Sequence, residues 1–179
     1  MIDTYPVIDA LRERLARRPS KASNLLLARE AIIDSEQLKA LFWFVYNGDV
    51  PLRWRAAWAI SKVSEQYPSM IAGERRRLIQ EIMDSTTSDG LRRLLLSICY
   101  NIPDAEELDV EFYNFLLDRT VCLHSSPGVQ ALSIKLAARM SRTDVALYKE
   151  FLCIIRNMEL AYYSAGVRAA VRNCLRNSK

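Results

Sequence analysis

The residues of this chain whose types and spacing suit chemistry are arginines and tryptophans, and the chemistry they suit is recognition. Arg53, Trp54, Arg55 and Trp58 lie within one short segment. Trp54 and Trp58 are four apart and so share one stripe of a helix. Arginine presents a planar fork of donors to a carboxylate or phosphate, and tryptophan a broad face to a peptide or an exposed base. Arg92 and Arg93 form a second site of this kind, and Arg168, Arg172 and Arg176 recur every four residues near the C-terminal end. The candidate partner-binding set is Arg53, Trp54, Arg55, Trp58, Arg92, Arg93, Arg168 and Arg172. Each also has a structural reading. The arginines can pair with neighbouring carboxylates such as Asp49 and Asp89, Arg55 with Glu65 or a carboxylate of an adjacent helix, the tryptophans can pack between helices, and the Arg168–Arg176 stripe can be the polar face of a terminal element.

Catalysis has little to draw on. The chain holds one histidine, His124, too few for a histidine-based metal centre. Cys122 stands two residues before it, a spacing that separates the two on a helix and joins them only on a loop. Glu106, Glu107 and Asp109 follow Pro103, where a helix is expected to begin and negative charge favours its dipole. The five glycines are isolated, so no glycine-rich loop can cradle a phosphate. Neither an enzyme, a metal nor a cofactor is expected.

The elements that must position these residues repeat. Leu52-Arg53-Trp54-Arg55-Ala56 is followed by Leu91-Arg92-Arg93-Leu94-Leu95, Val129-Gln130-Ala131-Leu132-Ser133 and Val167-Arg168-Ala169-Ala170-Val171, at intervals of 39, 38 and 38 residues. A fixed period in this range means one helical hairpin per repeat, with stacked hairpins sharing a continuous core. Leu52, Ala56, Ala59, Ile60 and Val63 fall on one face of a helix that Pro68 ends. Ahead of it, helices are expected over residues 5–18 and through Leu25, Leu26 and Ile32. Asp34 with Gln37 as a capping box opens a third, through Leu38 to Tyr46, and Gly48 ends that one as a left-handed cap. An outer helix near 68–83 precedes the inner helix at 91–102. Pro103-Asp104 opens the next outer helix, burying Leu108, Phe112, Phe115 and Leu116. Inner helices at 129–141 and 167–176 bracket an outer helix begun by Thr143-Asp144.

Composition sets the class. Half the residues are hydrophobic and 26% are charged, the balance of a folded protein rather than a disordered one. The net charge is +4, and residues 11–29 are rich in arginine while residues 101–120 are acidic. Such an asymmetry can steer a partner or pair copies head to tail, or be no more than solvated helix faces. The four cysteines form no CxxC pair, and no apolar run reaches the ~18–20 residues of a membrane span, so a cytoplasmic protein is expected.

Leu52-Arg53-Trp54-Arg55-Ala56-Ala57 and Val167-Arg168-Ala169-Ala170-Val171 resemble the inner-helix pattern of HEAT repeats, an α-α superhelix related in design to armadillo repeats. Leu91-Arg92 matches in part, and Val129-Gln130 lacks the arginine. Arg55-Ala56-Ala57-Trp58 and Ser164-Ala165-Gly166-Val167-Arg168 are similar to segments of small bacterial HEAT-like proteins. The resemblance spans about 35–179. It implies an all-α, right-handed superhelix of about five hairpins in one domain, with 1–34 a divergent cap and repeats near 35–67, 68–102, 103–141 and 142–179. It further implies a scaffold that binds another protein or peptide on its concave face. Nucleic acid is the alternative, through an arginine- and tryptophan-lined groove as in HEAT-like repeats resembling those of DNA alkylation-repair proteins. No membrane partner is expected.

Overall fold

Short polar side chains and prolines decide where the helices begin. Ser20 Oγ accepts a hydrogen bond from Ser23 N (3.0 Å) and opens α2 (Lys21–Ile33). Asp34 Oδ1 accepts from Glu36 N (2.9 Å) and opens α3 (Ser35–Asn47). Ser88 serves α6 (Asp89–Asn101), Asp109 serves α7 (Val110–Val121), and Asp144 serves α9 (Val145–Arg156) in the same way. Each such cap satisfies an orphan N–H and is worth about 1 kcal/mol. Pro51 and Pro127 stand in the first positions of α4 (Val50–Gln66) and α8 (Pro127–Ser141), where a missing N–H costs nothing. With α1 (Tyr5–Ala16), α5 (Arg75–Met83) and α10 (Ala165–Arg176) these make ten helices in the computed structural model, which describes residues 5–103 and 107–176. No strand occurs among the described residues, and the chain is all-α.

The chain forms two units, residues 1–103 and 104–179. In the first, α4 is the central element, packed on α3 and flanked by α2 and α6, with α1 lying on α3 and α4 and α5 against α6. Ala56, Ala57 and Ala59 are fully buried, and such small side chains let α4 approach its neighbours closely. Ser61 and Ser64, also buried on α4, return their hydroxyls to the carbonyls of Trp58 and Ser61, and Asn101 Nδ2 of α6 donates to Ser64 Oγ (2.9 Å). Phe44, Ile60, Leu78, Ile82 and Leu95 fill the space between the helices. In the second unit α8 packs against α7, α9 and α10, around Phe112, Leu116, Ile134, Phe151 and Val167.

Four local features differ from the sequence reading. The span near 68–83 is not one helix: single 3-10 turns at Pro68–Met70 and Ala72–Glu74 precede α5, because Pro68 and Gly73 interrupt the α-helical ladder. The outer helix expected at Pro103-Asp104 begins at Val110 with Asp109 as its cap. Leu108 precedes it half-buried, Phe115 is half-buried beside Arg119, and Asp104 and Glu106 lie outside the described residues. Gln37 does not complete a box with Asp34; its amide donates to Glu30 (2.6 Å), and the capping box belongs to Ser20 and Ser23. Gly48 is not left-handed either, with φ −79° and ψ 166°. Its need for glycine is steric: a Cβ there would stand 2.6 Å from the Phe44 carbonyl oxygen, a backbone atom that cannot yield. Gly48→Ala is therefore expected to destabilise the first unit by about 1–3 kcal/mol through overpacking, read as a lowered midpoint in urea unfolding; an unchanged midpoint would show that the α3–α4 turn can shift.

Candidate partner-binding face

The arginine of the repeated signature is the fourth residue of each helix that carries it, in α4, α6 and α10, and Gln130 holds that place in α8. From there the side chain reaches back to carbonyls at the end of the preceding helical segment. Arg53 Nε donates to Val45 O (2.9 Å) near the end of α3. Arg92 Nε donates to Ile82 O (2.9 Å) and its Nη2 to Asp84 O (2.8 Å), at the end of α5. Gln130 Nε2 donates to Cys122 O (2.8 Å), just past α7, and Arg168 Nη1 to Tyr163 O (2.8 Å). Carbonyls of a last helical turn have no partner within their own helix, so these donors satisfy groups whose burial would otherwise cost about 1–3 kcal/mol each.

Carboxylates complete two of these locks. Arg92 pairs with Asp89 (2.9 Å), as the sequence suggests. Arg53 pairs with Glu81 of α5 rather than with Asp49, and Glu81 also accepts from Thr87 Oγ1 (2.8 Å), tying α4 to the α5–α6 hairpin. Arg55 does not pair with Glu65; it donates to the Leu15 carbonyl at the end of α1, and Glu65 is taken by Lys62 (2.6 Å).

What remains exposed is different. Once α3, α2 and α6 are packed, the free stripe of α4 is Trp54, Trp58, Lys62 and Glu65. The two indoles are half-buried and tilted together, with ring centroids 5.3 Å apart at 49°. Trp54 lies along the first turn of α6, its ring 4.0 Å from where a Cβ on Gly90 would stand. Arg93 is one turn further on and exposed, with Tyr100 seven residues beyond it, also exposed. The first unit thus pairs Trp54 with Trp58 at the surface, leaves Arg93 exposed on the adjoining helix α6, and commits Arg53, Arg55 and Arg92 to the framework. Arg168 and Arg172 belong to the second unit, the former half-buried and the latter exposed.

A family model described as a HEAT repeat domain matches residues 11–178. The chain belongs to the HEAT repeat family. The match takes in α2 and the second half of α1. No curated protein and no solved structure matches the chain.

Among the described residues, the other groups singled out by sequence form no metal-binding constellation. Cys122 and His124 do share the α7–α8 loop. The Cys122 thiol is held below its ordinary value, chiefly by its hydrogen bond with the Ser125 hydroxyl and then by the His124 backbone N–H, while His124 itself is exposed. Among the described residues no three His, Cys, Asp or Glu side chains converge as metal ligands, and no helix is long and apolar enough to cross a membrane. A cavity of about 400 Å³ in the second unit, lined by Val121, Cys153, Ile154, Asn157, Met158, Glu159 and Tyr163, holds a single carboxylate. Of the three arginines at 75–77, Arg75 reaches the Pro103 carbonyl (3.3 Å) and Arg77 lies 3.8 Å over the Tyr46 ring. Tyr46 donates to Glu74 (3.0 Å), and burial first, then the Glu74 charge, pushes its hydroxyl pKa far up.

The two arginines at 92 and 93 separate the structural from the surface role. Arg92→Leu strands three acceptors and is expected to cost about 3 kcal/mol, whereas Arg93→Ala should change stability by no more than about 0.5 kcal/mol. Chemical denaturation of both variants checks this; equal losses would refute the assignment.

Proposed function

We infer that this HEAT-repeat protein is a non-enzymatic cytosolic scaffold that binds a protein segment on the face formed by α4 and α6. The observation that carries this reading is the pair of half-exposed, mutually packed tryptophans on one stripe of α4, beside the first turn of α6. Tryptophan and arginine dominate binding energy at protein interfaces because they bury large surfaces around a directed polar group. Trp54 and Trp58 supply such a surface, and the exposed Arg93 favours an acidic residue in the partner. The tilted indoles leave no parallel slot for a base, which favours peptide over nucleic acid here. Arg53, Arg55 and Arg92 serve this face by fixing the helices that present it. Arg168 serves its own hairpin in the second unit, and Arg172 is no part of the set.

Peptide-library selection with the intact protein tests the reading. The wild type should enrich one consistent motif containing acidic and apolar residues. Its affinity, measured by calorimetry, should fall about 10-fold or more in Trp58→Ala and in Arg93→Ala, as truncation of a central contact does. Either the lack of a consistent motif or equal affinity in both variants would defeat it.

A further inference from the structure

The two units distribute charge differently. In the second, α7 and α9 balance Arg119, Lys149 and Arg156 against Glu111, Asp118 and Glu150. The paired helices α8 and α10 contain no Asp or Glu at all. Their cations include Lys135 and, at the C-cap of α8, Arg142, together with Arg172 and Arg176 of α10, and all four are exposed. The outer helix α9 packs against both α8 and α10, so the solvent stripes of the pair lie away from it. Lys135 and Arg142 also stand close enough to Cys174 of α10 to lower its thiol pKa against the larger, upward effect of burial, which places cations of α8 beside the neighbouring helix. Arg142 is steadied by the Tyr148 ring, 5.9 Å from its guanidinium carbon, a contact that leaves its charge intact.

We propose that this α8–α10 face binds the phosphate backbone of duplex nucleic acid, through Lys135, Arg142, Arg172 and Arg176. A dense, fixed array of negative charge fits a pair of helices that carry cations and no Asp or Glu of their own, with affinity driven by release of counterions. An acidic protein segment fits less well. Protein interfaces centre on large apolar anchors, and neither helix contains an aromatic residue or exposes a large apolar one. That lack also argues against single strands, which bind by stacking bases on aromatic rings. Ala131 and Ala169, small and half-exposed among the cations, let a backbone approach the helices closely. The face uses none of the residues assigned to the peptide site and stands or falls independently of it.

Fluorescence anisotropy of a short labelled DNA duplex, titrated with the full chain between about 50 and 200 mM salt, tests the proposal. Binding should weaken steeply with salt. Replacing the four residues together by glutamine should reduce the log–log salt slope by about 3 to 4, since each neutralised phosphate contributes about 0.9. The charge-conserving set Lys135→Arg, Arg142→Lys, Arg172→Lys and Arg176→Lys should keep the slope, which separates lost charge from lost folding. Absence of binding by the wild type at low salt would overturn the proposal, as would an unchanged slope in the glutamine variant. Displacement of the duplex by polyglutamate at matched charge concentration would overturn it too, in favour of an acidic protein segment.

Discussion

A donor on the fourth residue of a helix, reaching a carbonyl at the end of the helix before it, is the interaction that the hairpins depend on. Packing alone brings two amphipathic helices together without fixing their register, because apolar contact is non-directional. The carbonyls of Val45, Ile82, Asp84, Cys122 and Tyr163 have fixed positions and directions, and the donors of Arg53, Arg92, Gln130 and Arg168 select one arrangement for each hairpin. Gln130 shows that reach and a donor are what the position demands. It meets one carbonyl, where the Arg92 guanidinium meets two carbonyls and a carboxylate.

This division of labour explains how the arginines can be numerous while few are available to a partner. A guanidinium has five N–H donors in a rigid fork; once two or three point at carbonyls the group is a structural clasp, as Arg92 is. Its sequence neighbour Arg93 points to the other side of the same helix and stays solvated. Adjacent identical residues thus have opposite duties, decided by the 100° between them on the helix.

The repeat period, the helix faces and the cap at Asp144 are legible in the sequence, because they follow from local rules of periodicity and capping. The hydrophobic stripe of α4 reads correctly for the same reason: Leu52, Ala56, Ala59, Ile60 and Val63 are all buried. What escapes is settled by neighbours distant along the chain. Arg53 chooses Glu81 over the nearer Asp49, and Arg55 finds a carbonyl of α1, choices that depend on where α5 and α1 come to rest. Gly48 misleads in another way. The residue at a helix end signals a left-handed cap by habit, whereas here the missing side chain makes room for the Phe44 carbonyl. In the site, the pairing of the two tryptophans is legible from their spacing. The loss of Arg53 and Arg92 to the framework is not, since sequence alone offers them solvent and carbonyl alike.

The locks also bear on how the chain comes to fold. Each one joins groups only five to ten residues apart, so it closes as soon as one turn and the start of the next helix exist. Contacts this local need little chain entropy to form, and folds rich in them are fast. An N-terminal hairpin emerging from the ribosome can therefore fasten itself before the next is synthesised. Within each unit the order of the helices in the sequence can then become the order of assembly, each fastened pair offering its apolar face to the next.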